Sequence, residues 1–211
     1  MIYTISKGAY SVNVQETHYL FGYGSLINAL SRSVTGQTGQ AHPAWVKGYQ
    51  RHWSTIGEGL TLSTVAVTQS TNGVTNGVLV EVPASELAAF DEREFGYRRT
   101  QVDPNALKVD GECNLSRPVW IYYKDAIIDP HEAAPIVLSY ADVILAGCLS
   151  ISHAFATEFV ETTLGWQTAL MNDRHAPRYP RVQPEIDVKT LEPYLSAVAH
   201  SGVCVKKGYA G

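Results

Sequence analysis

Two short segments of this chain carry residue types that can do chemistry. The first is Phe21-Gly-Tyr-Gly-Ser-Leu-Ile27, which follows an apolar run and leads into helical spacing at Leu26, Ile27 and Leu30. Gly22 and Gly24 permit backbone angles that other residues resist. A strand that passes through Gly-Ser into a helix points several main-chain N–H groups into one concavity. Such a nest binds anions, a substrate carboxylate among them. A dinucleotide fingerprint is excluded, because its third glycine would fall at Ile27. A nucleophile elbow is excluded too, because Tyr23 and Ile27 stand where it needs glycine. A tight turn capped by Ser25 uses the same residues without any ligand.

The second segment is Leu87-Ala-Ala-Phe-Asp-Glu-Arg-Glu-Phe-Gly-Tyr97. At helical spacing Leu87, Phe90 and Glu94 share the apolar, inward face, while Glu92 and Arg93 point elsewhere. Burying a carboxylate is costly. The last helical turn and partial burial both disfavour its charge and raise its pKa, which suits a general base. A structural clamp to Arg93, Arg98 or Arg99 accounts for Glu94 equally well. Other polar residues say less. Tyr140 is a candidate substrate contact, although a helix tyrosine with a wet hydroxyl is the commoner case. The loop bearing Arg174, Arg178 and Arg181 is a candidate cover for a pocket mouth or a solvated loop. Asp173-Arg174-His175 has the composition of a triad, but sequence neighbours do not face one another as a triad must. His131-Glu132 starts like a zinc-protease helix and fails at Pro135.

The elements that position these residues read as a β-rich core followed by helices. Strand-like runs fall at 19–23, 44–46, 52–56, 62–68, 77–82, 97–102 and 119–123. Asn72-Gly73 and Asn76-Gly77 suggest a hairpin between the fourth and fifth. Pro83 and Gly96 bracket a helix over about 85–94. Beyond Asp129, residues 133–164 read as two helices broken near Gly147 and Ser150, and a last helix spans about 189–200. The fold class predicted is α+β: a small, mostly antiparallel β-barrel with an inserted helix, and a helical C-terminal extension. No linker divides the 211 residues, so one domain is expected, with the barrel core at about 19–125 and the helical part at about 133–205. Val143, Leu149, Phe155 and Phe159 suit core packing and a dimer face equally.

Composition narrows the partners. With 45% hydrophobic residues, 17% charged and a net charge of −4, the chain is neither disordered nor basic enough to suggest nucleic acid. Its best apolar run, Val143–Leu149, is far too short to cross a membrane, and the N-terminus lacks an apolar signal core. A cytoplasmic protein is expected. Cys113, Cys148 and Cys204 lie far apart without a CxxC, which argues against a disulfide framework or zinc ribbon.

Taken together, Phe21–Ile27, Val46-Lys-Gly-Tyr-Gln-Arg51 and Asp91–Tyr97 resemble the γ-glutamylcyclotransferase superfamily, most nearly its ChaC-like branch. The likeness covers about residues 19–123. One element departs from the ChaC-like pattern: Glu94-Phe-Gly-Tyr97 is shorter and lacks the doubled glycine. The resemblance implies an enzyme that takes a small γ-glutamyl substrate, such as glutathione or a γ-glutamyl amino acid or amine. The substrate's own α-amine attacks its γ-carbonyl and 5-oxoproline leaves, with no metal or cofactor. It implies Glu94 as the base, and the main-chain N–H groups of Tyr23, Gly24, Ser25 and Leu26 as the holder of the γ-glutamyl end. Two other readings stay open: a non-catalytic module for small carboxylates, and a serine acyl-transfer enzyme using Ser25.

Overall fold

The structure, a computed structural model, describes residues 16–55, 61–168, 170–199 and 205–207. Cys204 and His200 lie outside them. In chain order, β1 (Thr17–Gly22), a 3-10 turn (Ser25–Ile27) and α1 (Ala29–Ser33) lead to two long strands, β2 (Ala41–Thr55) and β3 (Ser63–Pro83). A second 3-10 turn (Ala84–Glu86) opens α2 (Leu87–Arg93), followed by β4 (Arg98–Gln101), β5 (Leu107–Val109) and β6 (Val119–Tyr123). The rest holds β7 (Ile136–Val137), α3 (Leu138–Ile151), α4 (His153–Thr162), β8 (Leu170–Asn172), α5 (Val188–Ala199) and β9 (Val205–Lys207).

β3 is the spine of the sheet. It pairs antiparallel with β1 through Val78–Pro83 and with β2 along most of its length. The hairpin expected at Asn72-Gly73 and Asn76-Gly77 is absent, because β3 runs straight through both pairs. The signal marks a register excursion instead. Lys47 faces Val74 and Tyr49 faces Gln69, so residues 70–73 of β3 lie opposite Gly48 alone. Gly73 suits the place because a Cβ there would sit 2.5 Å from the Tyr49 carbonyl.

The expected barrel is an open sheet. From one edge β4, β6, β1 and β3 pair in turn, and β2 and β5 continue beyond β3, with no ladder joining the ends among the described residues. The sheet curls none the less: Lys124, just past β6, donates its N–H to Val67 O in the first half of β3 at 2.9 Å. It is also more mixed than expected, since β1–β6, β3–β7, β7–β8 and β8–β9 are parallel pairs. The last three involve β7, β8 and β9, short strands in or at the end of the part of the sequence read as helical.

That C-terminal part packs into the core. α3 is apolar on nearly every side, and ten of its residues, Tyr140 and Val143 among them, are buried. The helix break falls at Ser152, whose hydroxyl caps α4 through Phe155 N–H. Val143, Phe155 and Phe159 are buried within the chain, as core packing requires. Among the described residues no helix is long and apolar enough to cross a membrane.

Candidate functional site

The turn after β1 is held by its carbonyl groups. Tyr23 O accepts from the Arg51 guanidinium, Gly24 O from Ile27 N–H and Ser25 O from Asn28 N–H. Leu26 O and Ile27 O both accept from Arg32, at 2.8 Å each. In a trans peptide the next N–H points opposite to its carbonyl. With the carbonyls of Tyr23, Gly24 and Ser25 turned into protein, the N–H groups of Gly24, Ser25 and Leu26 are turned the other way. Those of Ser25 and Leu26 open the 3-10 turn and so have no intrahelical acceptor.

Neither Gly22 nor Gly24 has a positive φ. The left-handed conformation open to glycine is therefore not what the turn uses. Space is the reason: a Cβ on Gly24 would lie 2.5 Å from Val65 Cγ2 and 3.3 Å from the Tyr140 hydroxyl. Arg51, the last residue of Val46–Arg51, secures the arrangement from behind. It is fully buried, has no carboxylate partner among the described residues, and its guanidinium donates to Tyr23 O, Asn76 O and Oδ1, and Thr163 Oγ1 while lying over the Phe159 ring. Burial lowers its pKa to about 9.

Glu94 caps the C-terminus of α2. Leu87 and Phe90 are buried as the spacing requires, and Asp91 ties the helix to the sheet by accepting from Tyr122 Oη at 2.7 Å and pairing with Arg99. After Glu94 the chain turns sharply through Gly96, at φ +87°, and Tyr97 N–H closes the turn on Glu94 O. The Glu94 side chain is 20% exposed. Burial raises its pKa above the ordinary carboxylate value, against the opposing charges of Arg93 and Arg181.

Arg93 does not point away from the inward face. Its side chain is only 4% exposed and reaches back from the end of α2. Nε donates to Glu94 Oε1 at 3.0 Å and Nη2 to Ser25 Oγ at 3.1 Å, while Ser31 and Thr35 take the remaining donors. Helical spacing missed it because the face of a Cβ does not limit where a four-atom stem and a five-donor fork can reach. The clamp expected as an alternative for Glu94 is thus present, and it joins the acid to the turn. Ser25 Oγ faces this permanent cation, so a base that could activate it as a nucleophile is not what it meets.

One cavity of about 130 Å³ brings the pieces together. It is lined by Gly22–Leu26, Arg93, Glu94 and Tyr140, which brings together the base, the turn residues and the tyrosine expected as substrate contacts, and by Tyr97, Tyr122, Tyr179 and Arg181. Burial raises the pKa values of the Tyr23, Tyr97 and Tyr140 phenols, and the nearby Glu94 charge adds to the effect, so all three stay protonated at neutral pH. The Tyr23 and Tyr97 hydroxyls are already committed to Tyr122 O and Val65 O. Among the described residues no cluster of three or more His, Cys, Asp or Glu could hold a metal.

The arginine loop divides. Arg174 pairs with Asp142 at 2.7 Å, Arg178 reaches Thr61 O, and Arg181 lines the cavity. Asp173 is a buried anchor: it accepts from Ser139 N–H, Ser139 Oγ and Arg178 N–H, and Tyr179 N–H in turn meets Ser139 Oγ. Of this part the sequence offered only the arginine-rich loop as a candidate cover, since what places Tyr179 and Arg181 is its anchoring to α3 and to Thr61.

A family model described as γ-glutamyl cyclotransferase, AIG2-like, matches residues 20–140. No curated protein sequence matches. Among solved structures, one titled γ-glutamyl cyclotransferase is 13% identical, with 86% of this chain and 99% of that one covered at a TM-score of 0.49. YkqA from Bacillus subtilis is 21% identical, with 69% of this chain and 53% of that one covered at a TM-score of 0.50, a likeness of fold alone.

Proposed function

The chain belongs to the γ-glutamyl cyclotransferase, AIG2-like family, and from that premise we propose that the cavity cyclises γ-glutamyl amides to 5-oxoproline with release of an amine. One observation carries this reading: Glu94 and the amide-lined turn border the same cavity, both bound to Arg93. The N–H groups of the turn, contributed by Tyr23, Gly24, Ser25 and Leu26, hold the γ-glutamyl end and receive charge as the carbonyl oxygen becomes an oxyanion. Glu94 takes a proton from the α-ammonium, the freed amine attacks the γ-carbonyl carbon, and the C–N bond to the departing amine breaks. Two protons pass from the attacking to the departing nitrogen, with Glu94 carrying them in turn, so no net proton is consumed. A carboxyl of raised pKa is the better matched to this exchange. Folding the substrate back on itself supplies much of the acceleration. Tyr140, beside Gly24, completes the wall against which the glutamyl chain bends.

Within this class we propose glutathione, γ-glutamyl amino acids and γ-glutamyl amines as substrates to assay. The ChaC-like placement drawn from the three motifs stays part of the proposal, whereas the matching family model is AIG2-like. The test is 5-oxoproline release by the wild type and by Glu94→Gln. Loss of general base catalysis lowers kcat about 10²- to 10⁴-fold. No product from any of these substrates, or a Glu94→Gln enzyme as active as wild type, refutes the assignment. The Arg93–Glu94 ion pair favours one other reading, a carboxylate-binding module in which the acid is only a strut. That module would bind 5-oxoproline or glutamate without turnover and would tolerate Glu94→Gln.

A further inference from the structure

Two polar groups at the cavity have no part in the proposed chemistry, and both lie outside the residues matched by the family model. Tyr179 is 6% exposed and its ring packs 4.8 Å from that of Tyr140, yet its hydroxyl has no hydrogen-bond partner among the described residues. A buried hydroxyl left unpaired is costly, and a ligand in the cavity removes the cost. Arg181 lines the same cavity and takes part in none of the ion pairs among the described residues. Arg93, the other cation of the cavity, is bound on all sides by Glu94, Ser25, Ser31 and Thr35. The segment carrying the two groups is fixed in place through Asp173, Ser139 and the Arg174–Asp142 pair.

With the γ-glutamyl end on the turn and the scissile amide at Glu94, Arg181 is the cation of the cavity lining that no ion pair among the described residues already occupies, and so the one open to what remains of the substrate. Arg181 is near enough for its charge to act on Glu94. In a γ-glutamyl amino acid the departing amine bears a carboxylate two bonds from the scissile nitrogen. A guanidinium binds that group with a charge-assisted, two-pronged geometry. A plain amine offers it nothing. We propose that Tyr179 and Arg181 form the leaving-group subsite and that Arg181 selects departing amines that carry a carboxylate. The proposal rests on the cyclisation reading and deepens it.

The test compares γ-glutamyl-alanine with γ-glutamyl-ethylamide, which differ only in that carboxylate, by 5-oxoproline release from the full chain. Wild type prefers the alanine substrate in kcat/KM by about tenfold to a hundredfold, the worth of one charge-assisted hydrogen bond or ion pair. In Arg181→Gln the ratio falls to near one, mainly through KM. Arg181→Lys restores part of it, and Tyr179→Phe reduces it several-fold. The ratio cancels any influence of Arg181 on Glu94, which both substrates share. A wild type without the preference, or an Arg181→Gln variant that keeps it, overturns the subsite while leaving the cyclotransferase reading intact. No 5-oxoproline from either substrate overturns both.

Discussion

A single methyl group on Gly24 tests whether the turn after β1 does the binding. In Gly24→Ala the new Cβ would sit 2.5 Å from Val65 Cγ2, against an ordinary carbon–carbon separation of about 3.5–4.0 Å. Val65 cannot easily yield: it is β-branched, 3% exposed and held within β3. The Tyr140 hydroxyl, 3.3 Å from the same point, closes the other way out. The turn itself must therefore move by roughly 1 Å, and a displacement of that size in groups that orient a reacting centre costs about 10²-fold in rate. Stability falls by about 1–3 kcal/mol, the usual range for overpacking. The assay is kcat/KM for 5-oxoproline release, with a urea melt to separate misfolding from misplacement. Val65→Ala removes the obstructing Cγ2, so the double variant Gly24→Ala, Val65→Ala recovers most of the lost activity. A Gly24→Ala enzyme with wild-type kcat/KM, or a double variant as impaired as the single one, refutes the reasoning.

Two further perturbations probe the supports of the site. Arg93→Gln removes the first of the two positive charges that oppose the effect of burial on Glu94, so the carboxyl pKa rises further and the acid limb of kcat/KM moves to higher pH; a limb at the wild-type position contradicts the assigned base. Arg51→Met removes the donors for Tyr23 O, Asn76 and Thr163 at a fully buried position and is expected to cost about 1–3 kcal/mol in urea unfolding for each acceptor left unpaired. Arg51→Lys keeps the charge but not the planar fork and recovers little. A melt for either variant within 1 kcal/mol of wild type denies Arg51 its role behind the turn.

The sequence by itself determined the local devices. Phe21–Ile27 is a strand, a turn and a short helix because a β run meets Gly-Tyr-Gly-Ser and then apolar residues at helical spacing. The position of Glu94 at the end of a helix with Leu87 and Phe90 inside follows from a period of 3.6. Motif order was enough for the superfamily. The first two depend on neighbours within a few residues, and the third on the order of short motifs along the chain.

Tertiary structure decided what those devices meet. Asn72-Gly73 reads locally as a turn, yet the pairing of β3 with β2 before and after it keeps the strand going and leaves the glycine against a neighbouring backbone. Gly24 looks locally like a residue chosen for its dihedral angles, and only the approach of Val65, 41 positions away, shows that a side chain there also lacks room. Arg93 is off the inward face by helical arithmetic and on it in space, because its acceptors lie in α1 and the turn. Tyr179 and Arg181 reach the cavity through a buried aspartate bound to the first turn of α3. A periodic pattern reports the side of an element that faces inward; which atoms of distant segments share that interior is fixed only when the chain closes on itself.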